Sequence, residues 1–317
     1  MSLAIVSLIS LLEGTTKVGV SDLLNSAFHN IHSDQMMTIV FSYRLPRILL
    51  ACVVGAGLAC SGVVFQGVLR NPLADPYIIG IAAGGALGAV VSISLFNCRG
   101  LFSTSVASFV GSLVAVGLVY GLTIVRNNSS YVNTVILAGI IVGSMMNALM
   151  LLIISVTNSN ELQRVLFWLM GDFSLADYQK ILFAGPIVTI GSLLIYLNAN
   201  RLNVLALGEE SAWNLGVDVQ KCRFFLMIVA ALITGSVVSV AGPIGFVGLV
   251  APHSMRLLFG VDHRLLLPTA FLGGAIFLVI SDTVARLVAY PVELPVGVIT
   301  ALSGAPFFLY LLLRNRK

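Results

Sequence analysis

Glu209-Glu210-Ser211-Ala212-Trp213-Asn214-Leu215-Gly216 stands between two runs of nearly pure hydrocarbon, residues 181–199 and 224–240, the second reading FFLMIVAALITGSVVSV. Such runs have no place on a water-exposed surface. The polar octet between them therefore reads as a short exposed helix that another protein can grip. Working outward, 58% of the 317 residues are apolar and 9% are charged, with a mean hydropathy of +1.02. A soluble domain carries about a quarter charged residues. Spread over the whole chain, the deficit implies repeated bilayer crossings, since a helix needs about 20 apolar residues to span about 30 Å of hydrocarbon. A β-barrel would show short alternating segments with a polar inner face, and these runs are continuous. The expected fold is all-α, a polytopic membrane protein forming one domain over 1–317, with the polar loop at about 200–222.

Apolar runs separated by charged or turn-forming clusters give ten expected spans: 1–13, 45–67, 78–96, 101–124, 132–156, 181–199, 224–240, 241–259, 265–284 and 294–313. The first is short for a crossing. The one beginning near Ala241 contains Gly242-Pro243 and Pro252-His253, so a break is expected there. With the C-terminal Arg314, Arg316 and Lys317 in the cytoplasm, ten spans place the N-terminus there too. Of 17 Lys/Arg and 13 Asp/Glu, the inner loops then hold ten and five and the outer loops seven and eight. That excess satisfies the positive-inside rule. The formal charge of +4 implies no nucleic-acid partner. No charged region or small-residue cleavage site marks a cleaved signal at the N-terminus. A weak similarity between Ala56–Pro76 and Ala231–Pro252, crossing in opposite directions, suggests an inverted repeat.

Chemistry is scarce in the sequence. Cys52, Cys60, Cys98 and Cys222 have neither metal-ligand spacing nor a disulfide pattern. Phosphate-loop, zinc-helix and nucleophile-elbow motifs are missing, so neither a catalytic residue nor a metal site is expected. His29 and His32 fall in the loop after the first span, and His253 and His263 near the inner end of the eighth, where a structural role is the plain reading. Asp282 is the most deeply placed acid, and Arg286, four residues on, offers it a local partner. Gly80, Gly84 and Gly88 recur at four-residue spacing, which suits close helix packing in one subunit or a subunit interface. Met145, Met146 and Met150 suit packing, while Asn147 among them is costly in hydrocarbon and suits packing or a wet path.

Several ordered motifs carry a resemblance. Arg44-Leu45-Pro46-Arg47 leads into a Gly/Ala-rich span that ends in Gln66-Gly67-Val68-Leu69-Arg70-Asn71-Pro72-Leu73-Ala74-Asp75-Pro76. Gly242-Pro243-Ile244-Gly245-Phe246-Val247-Gly248-Leu249-Val250-Ala251-Pro252-His253, Asp262-His263-Arg264 and Glu293-Leu294-Pro295-Val296-Gly297 follow. From about residue 17 onward the chain resembles the membrane permease subunit of FecCD-like, type II ABC importers for iron-siderophore, haem or cobalamin. Relatives usually begin with a longer segment, and the short start here departs from that pattern.

The resemblance implies roles residue by residue. Glu209, Glu210, Ala212 and Gly216 match the coupling pattern that docks in a cytoplasmic ATPase, a small residue and a glycine allowing close approach. Arg44, Arg47 and Arg286 match positions that pair with glutamates of a substrate-binding protein, a task suited to the guanidinium; headgroup anchoring is the alternative. Asn71, Leu73, Val132 and Asn133 match a cytoplasmic gate, although Asn-Pro followed by Asp-Pro also makes a plain turn. The implied assembly is two permease subunits, identical or paralogous, two ATPase subunits holding ATP and magnesium, and a binding protein. It sits in a bacterial or archaeal cytoplasmic membrane, and this chain holds no cofactor. Two rivals are an ATP-independent secondary carrier or channel, opposed by the dearth of embedded charges, and an intramembrane enzyme, which lacks a nucleophile and base.

Overall fold

Uncharged runs in hydrocarbon must satisfy every backbone group internally, and here they do so as helices. The structure is a computed structural model describing residues 2–12, 38–96, 101–125 and 131–314. Glu13, His29, His32, Cys98, Arg126, Arg316 and Lys317 lie outside the described residues. The helices are α1 (Ser2–Leu12), α2 (Leu45–Val68), α3 (Ile81–Ser94), α4 (Leu101–Val125), α5 (Tyr131–Ser155), α6 (Ser159–Leu169), α7 (Tyr178–Leu197), α8 (Ala199–Ala206), α9 (Glu209–Asn214), α10 (Val219–Ala241), α11 (Val247–Phe259), α12 (His263–Leu287) and α13 (Val296–Arg314). A π-turn, Ile39–Arg44, leads into α2, and a 3-10 turn, Pro76–Ile79, precedes α3. No strand occurs among the described residues.

Among the described residues, six helices are long and apolar enough to cross a membrane: α2 with its lead-in, α4, α5, α7, α10 and α12. Shorter apolar helices, α1, α3, α11 and α13, stand where the other four spans were expected. The polytopic helical class is as the sequence reading has it. Burial separates a centre from a rim, since the apolar windows of α2 and α10 are 83% and 78% buried and that of α5 is 22%. In a chain this greasy the exposed side of α5 faces lipid or another apolar subunit.

Close packing explains the glycines. A Cβ on Gly62 would stand 2.0 Å from the Gly248 carbonyl oxygen, and one on Gly55 2.3 Å from that of Gly274, so α2 touches α11 and α12 backbone to backbone. Gly84 and Gly88 meet the Gly111 and Ala107 carbonyls of α4, and Gly80 lies beside Gly139 and Gly143 of α5. The four-residue glycine spacing is thus used within the subunit.

Helix directions follow from paired contacts. Gly57 faces Ile233 and Val237, whereas Ser61 reaches the Ala230 carbonyl, so α2 and α10 run antiparallel. Each then bends at prolines. Beyond α2, residues 70–80 fold back until Pro76 touches Gly248. Beyond α10, Gly242 (φ 73°) and Phe246 (φ 69°) turn the chain before α11 begins at Val247, which is the expected break. The two bends meet where the Tyr77 hydroxyl accepts from Ile244 N and donates to Ile244 O, both at 3.0 Å. One side chain satisfies the backbone that the interruption leaves open.

Two ends result. Tyr178 Oη donates to Phe41 O (2.8 Å), and Asp172 N to Ala241 O (3.0 Å), at the end that carries Arg47. At the other end Arg70 Nε donates to Leu205 O (3.1 Å) and Asn203 Nδ2 to Asp262 Oδ1 (2.7 Å). The last helix, α13, starts near Gly171, passes Phe246 at Gly304 and His253 at Phe307 and Phe308, and so points toward the α9 end.

Candidate functional site

The α9 end is built from short helices that cannot bury themselves. α8 turns Leu202 and Leu205 into the core, and Gly208 (φ 125°) redirects the chain into α9. α9 stops because Gly216, at φ 77°, closes it: Gly216 N donates to Trp213 O (2.9 Å) and Val217 N to Ala212 O (3.0 Å). This paired capping needs a left-handed residue that only glycine adopts cheaply. Asp218 then caps α10 through Lys221 N (3.1 Å), and hydrogen bonding to the Lys221 ammonium holds its carboxyl below the usual range. Nearby, Asp262 is held well below that range by hydrogen bonds from Arg264 and then Asn203. The His263 ring meets Asn203 Oδ1 at 2.7 Å, a structural use for that histidine.

Of the four residues expected to make the coupling surface, the structure presents three to the outside. Glu210 and Gly216 are exposed, and Glu209 is exposed while pairing with Arg223 (2.7 Å). Ala212 corrects the expectation, because it is fully buried against the core: its smallness lets α9 lie flat on the bundle and gives a partner nothing to touch. The surface also holds what the sequence reading left out, namely Trp213 (72% exposed), Leu207 (68%) and Leu215 (62%). Tryptophan is among the residues enriched at interface centres, and the leucines beside it extend the apolar surface. A cavity of about 610 Å³ opens beside them, lined by Arg70, Asn203, Arg256, Asp262 and His263.

At the opposite end the expected outward-facing arginines are a second correction. Arg44, Arg47 and Arg286 are 6%, 8% and 5% exposed. Arg47 Nε donates to both oxygens of Asp282 (3.0 and 3.1 Å), its Nη2 lies 2.9 Å from Oδ1, and its Nη1 donates to Glu293 Oε2 (2.5 Å). Arg286 Nε lies 3.2 Å from Asp282 Oδ2, the local pair that the four-residue spacing suggested, and its Nη2 donates to Ser10 Oγ (2.7 Å). Arg44 Nη1 donates to the Leu11 carbonyl (2.7 Å). The reason is electrostatic: Asp282 is 1% exposed, and a carboxylate so far from water is tolerated only with cations around it. Embedded charge is thus present, in mutually neutralising form.

The four positions expected to form a gate lie at the α9 end on two elements. Asn71 and Leu73 are exposed, and Asn71 Oδ1 accepts from Leu73 N (2.9 Å), the plain turn. Val132 packs on the core and Asn133 is exposed, both in the first turn of α5. A further cavity of about 390 Å³ at the Arg47 end is lined by Trp168, Asp172, Lys180 and Glu293. Among the described residues, no three His, Cys, Asp or Glu side chains converge as metal ligands.

Known proteins match throughout. The model of the FecCD transport family matches residues 2–314. The chain is 45% identical to the cobalamin import system permease protein BtuC of Halobacterium salinarum over 279 residues, 88% of this chain and 74% of that one. To the hemin transport system permease protein HmuU of Yersinia pestis it is 38% identical over 318 residues, 99% of this chain and 95% of that one. A solved inward-facing structure of a metal-chelate type ABC transporter superposes with a TM-score of 0.88 at 34% identity, covering 99% of this chain and 96% of that one.

Proposed function

Since the chain belongs to the FecCD transport family and is thereby the membrane permease subunit of an ABC transporter, we propose that it imports a metal chelate by alternating access, driven by ATP hydrolysis in partner subunits. Two ATPase subunits bind ATP and magnesium and grip α9 through Trp213, Leu207, Leu215, Glu210 and the turn at Gly216. The observation that carries this reading is that exposed apolar platform, rigidly capped and anchored by Arg223, at the end toward which α13 points. Nucleotide affinity that differs between two conformations supplies the driving force. The cytoplasm lies at this end, in keeping with the loop charges, and both termini with it, in a bacterial or archaeal cytoplasmic membrane. A second permease subunit, identical or paralogous, covers exposed apolar flanks such as that of α5. Asn71, Leu73, Val132 and Asn133 stand at the cytoplasmic mouth of the path.

A binding protein docks at the opposite end. There the arginines act from beneath: Arg47, through Glu293, fixes the loop that presents Tyr290 and Val292 outward. The cargo class follows the relatives, whose names specify cobalamin and hemin. A proton-driven carrier needs a carboxylate that can load and release a proton, and Asp282 is clamped by two guanidiniums. The experiment is uptake into proteoliposomes containing this chain, a partner ATPase and an external binding protein, with cyanocobalamin and hemin as probes. Uptake of one probe that requires ATP and stops when the nucleotide-binding lysine of the ATPase is replaced supports the proposal. Uptake indifferent to the ATPase would establish a carrier instead.

A further inference from the structure

Where α9 meets the bundle, four elements meet around Arg223 and its neighbour Phe224. Arg223, in the second turn of α10, is 3% exposed and spends Nη1 on Glu209, the first residue of α9. Its neighbour Phe224 packs edge-on against Tyr120 near the end of α4, with ring centroids 5.2 Å apart. Tyr120 in turn neighbours Tyr131, which opens α5 and lies within electrostatic reach of Arg223. Arg223 Nε is buried without a hydrogen-bond partner, and the two tyrosine hydroxyls, also buried, face each other.

Buried polar atoms without partners are rare and costly, and a charged donor left open while the nearby Tyr131 hydroxyl faces Tyr120 is an incomplete cluster. A small shift of the α5 start would complete it. The cluster therefore has two arrangements, Tyr131 facing Tyr120 or bonded to Arg223 Nε, whose balance depends on where Glu209 holds Arg223. We propose that Arg223 is a positioning residue that links α9 to the first turn of α5, so that displacement of the docking helix moves Asn133 at the cytoplasmic mouth. The inference rests on the reading of α9 as the ATPase-docking helix. Hydrogen bonds to charged groups bias such an equilibrium roughly 10-fold or more, enough for one end of a helix to follow the other element.

The test uses the complex assembled with its ATPase and carrying Asn133→Cys, labelled with a maleimide whose attachment at position 133 is read by peptide mass spectrometry. The labelling rate is expected to differ roughly 10-fold between nucleotide-free and ATP-plus-vanadate states. Tyr131→Phe, which leaves the Arg223–Glu209 pair intact, and Arg223→Lys, which removes Nε and the fork, should abolish that difference while the ATPase stays bound. A full nucleotide-dependent difference in both variants overturns the linkage. So does loss of the ATPase from Arg223→Lys, which would show that Arg223 only shapes α9. Gly216→Arg separates the two claims: if the ATPase still co-purifies with it undiminished, the docking reading itself is wrong.

Discussion

The two ends of this molecule use charge in opposite ways. At one, Arg47, Arg286 and Asp282 are sealed from solvent and satisfy one another, with Glu293 tied in at the edge. At the other, α9 leaves Trp213, Leu215 and Glu210 outside and keeps only Arg223 buried beneath them. The first arrangement builds a rigid floor, because a clamped carboxylate has no cheap alternative partner. The second builds a surface that is incomplete until something covers it. The same residue types that suggest docking in a sequence can therefore be structural at one end and adhesive at the other, and burial decides which.

Substitutions can break this contrast, and their effects should fall in a definite order. Asp282→Ala strands two buried guanidiniums, and losing one partner of a buried ionic cluster costs about 3–5 kcal/mol. We expect a sharply lowered Tm in detergent, or failure to accumulate, and a wild-type Tm would refute the clamp. Trp213→Ala should do the reverse: Tm unchanged, affinity for the ATPase weakened by about 2 kcal/mol, roughly 30-fold, as for a central interface tryptophan. Equal loss of stability and affinity would remove the distinction between the ends. Gly216→Ala forces a left-handed residue to carry a Cβ, costing about 1 kcal/mol locally, visible as faster amide exchange across α9 with global stability kept. Open space surrounds that Cβ position, so strain alone is expected. Glu293→Gln, at the half-exposed edge of the clamp, should cost about 1 kcal/mol or less in Tm-derived stability.

The helical membrane class was legible because an uncharged run of 17 or more residues carries its own structure. The break near Gly242-Pro243 was legible for the same local reason. α6 was missed, although Leu162, Val165, Leu166 and Leu169 recur at helical spacing; it sits in a charged stretch between two stronger apolar signals. The pairing of Arg286 with Asp282 lies within one helical turn and could be read. That of Arg47 with Asp282 spans 235 residues and could not, which is why Arg47 was expected at the surface. Ala212 was recognised by residue type, but which face of a six-residue helix turns inward depends on the bundle it lies against. Trp213 stands within the opening octet, but its exposure follows from which face of α9 the bundle covers, and sequence alone does not carry that.

The central claim is that α9 is a cytoplasmic surface completed by an ATPase. Ser211→Cys, on its exposed face, tests it directly with a membrane-impermeant maleimide applied to oriented vesicles and read at position 211 by peptide mass spectrometry. Labelling only from the cytoplasmic side, and strong protection once the purified ATPase is added, is the expected result. Labelling from the external side, or a rate the ATPase leaves unchanged, would contradict the account.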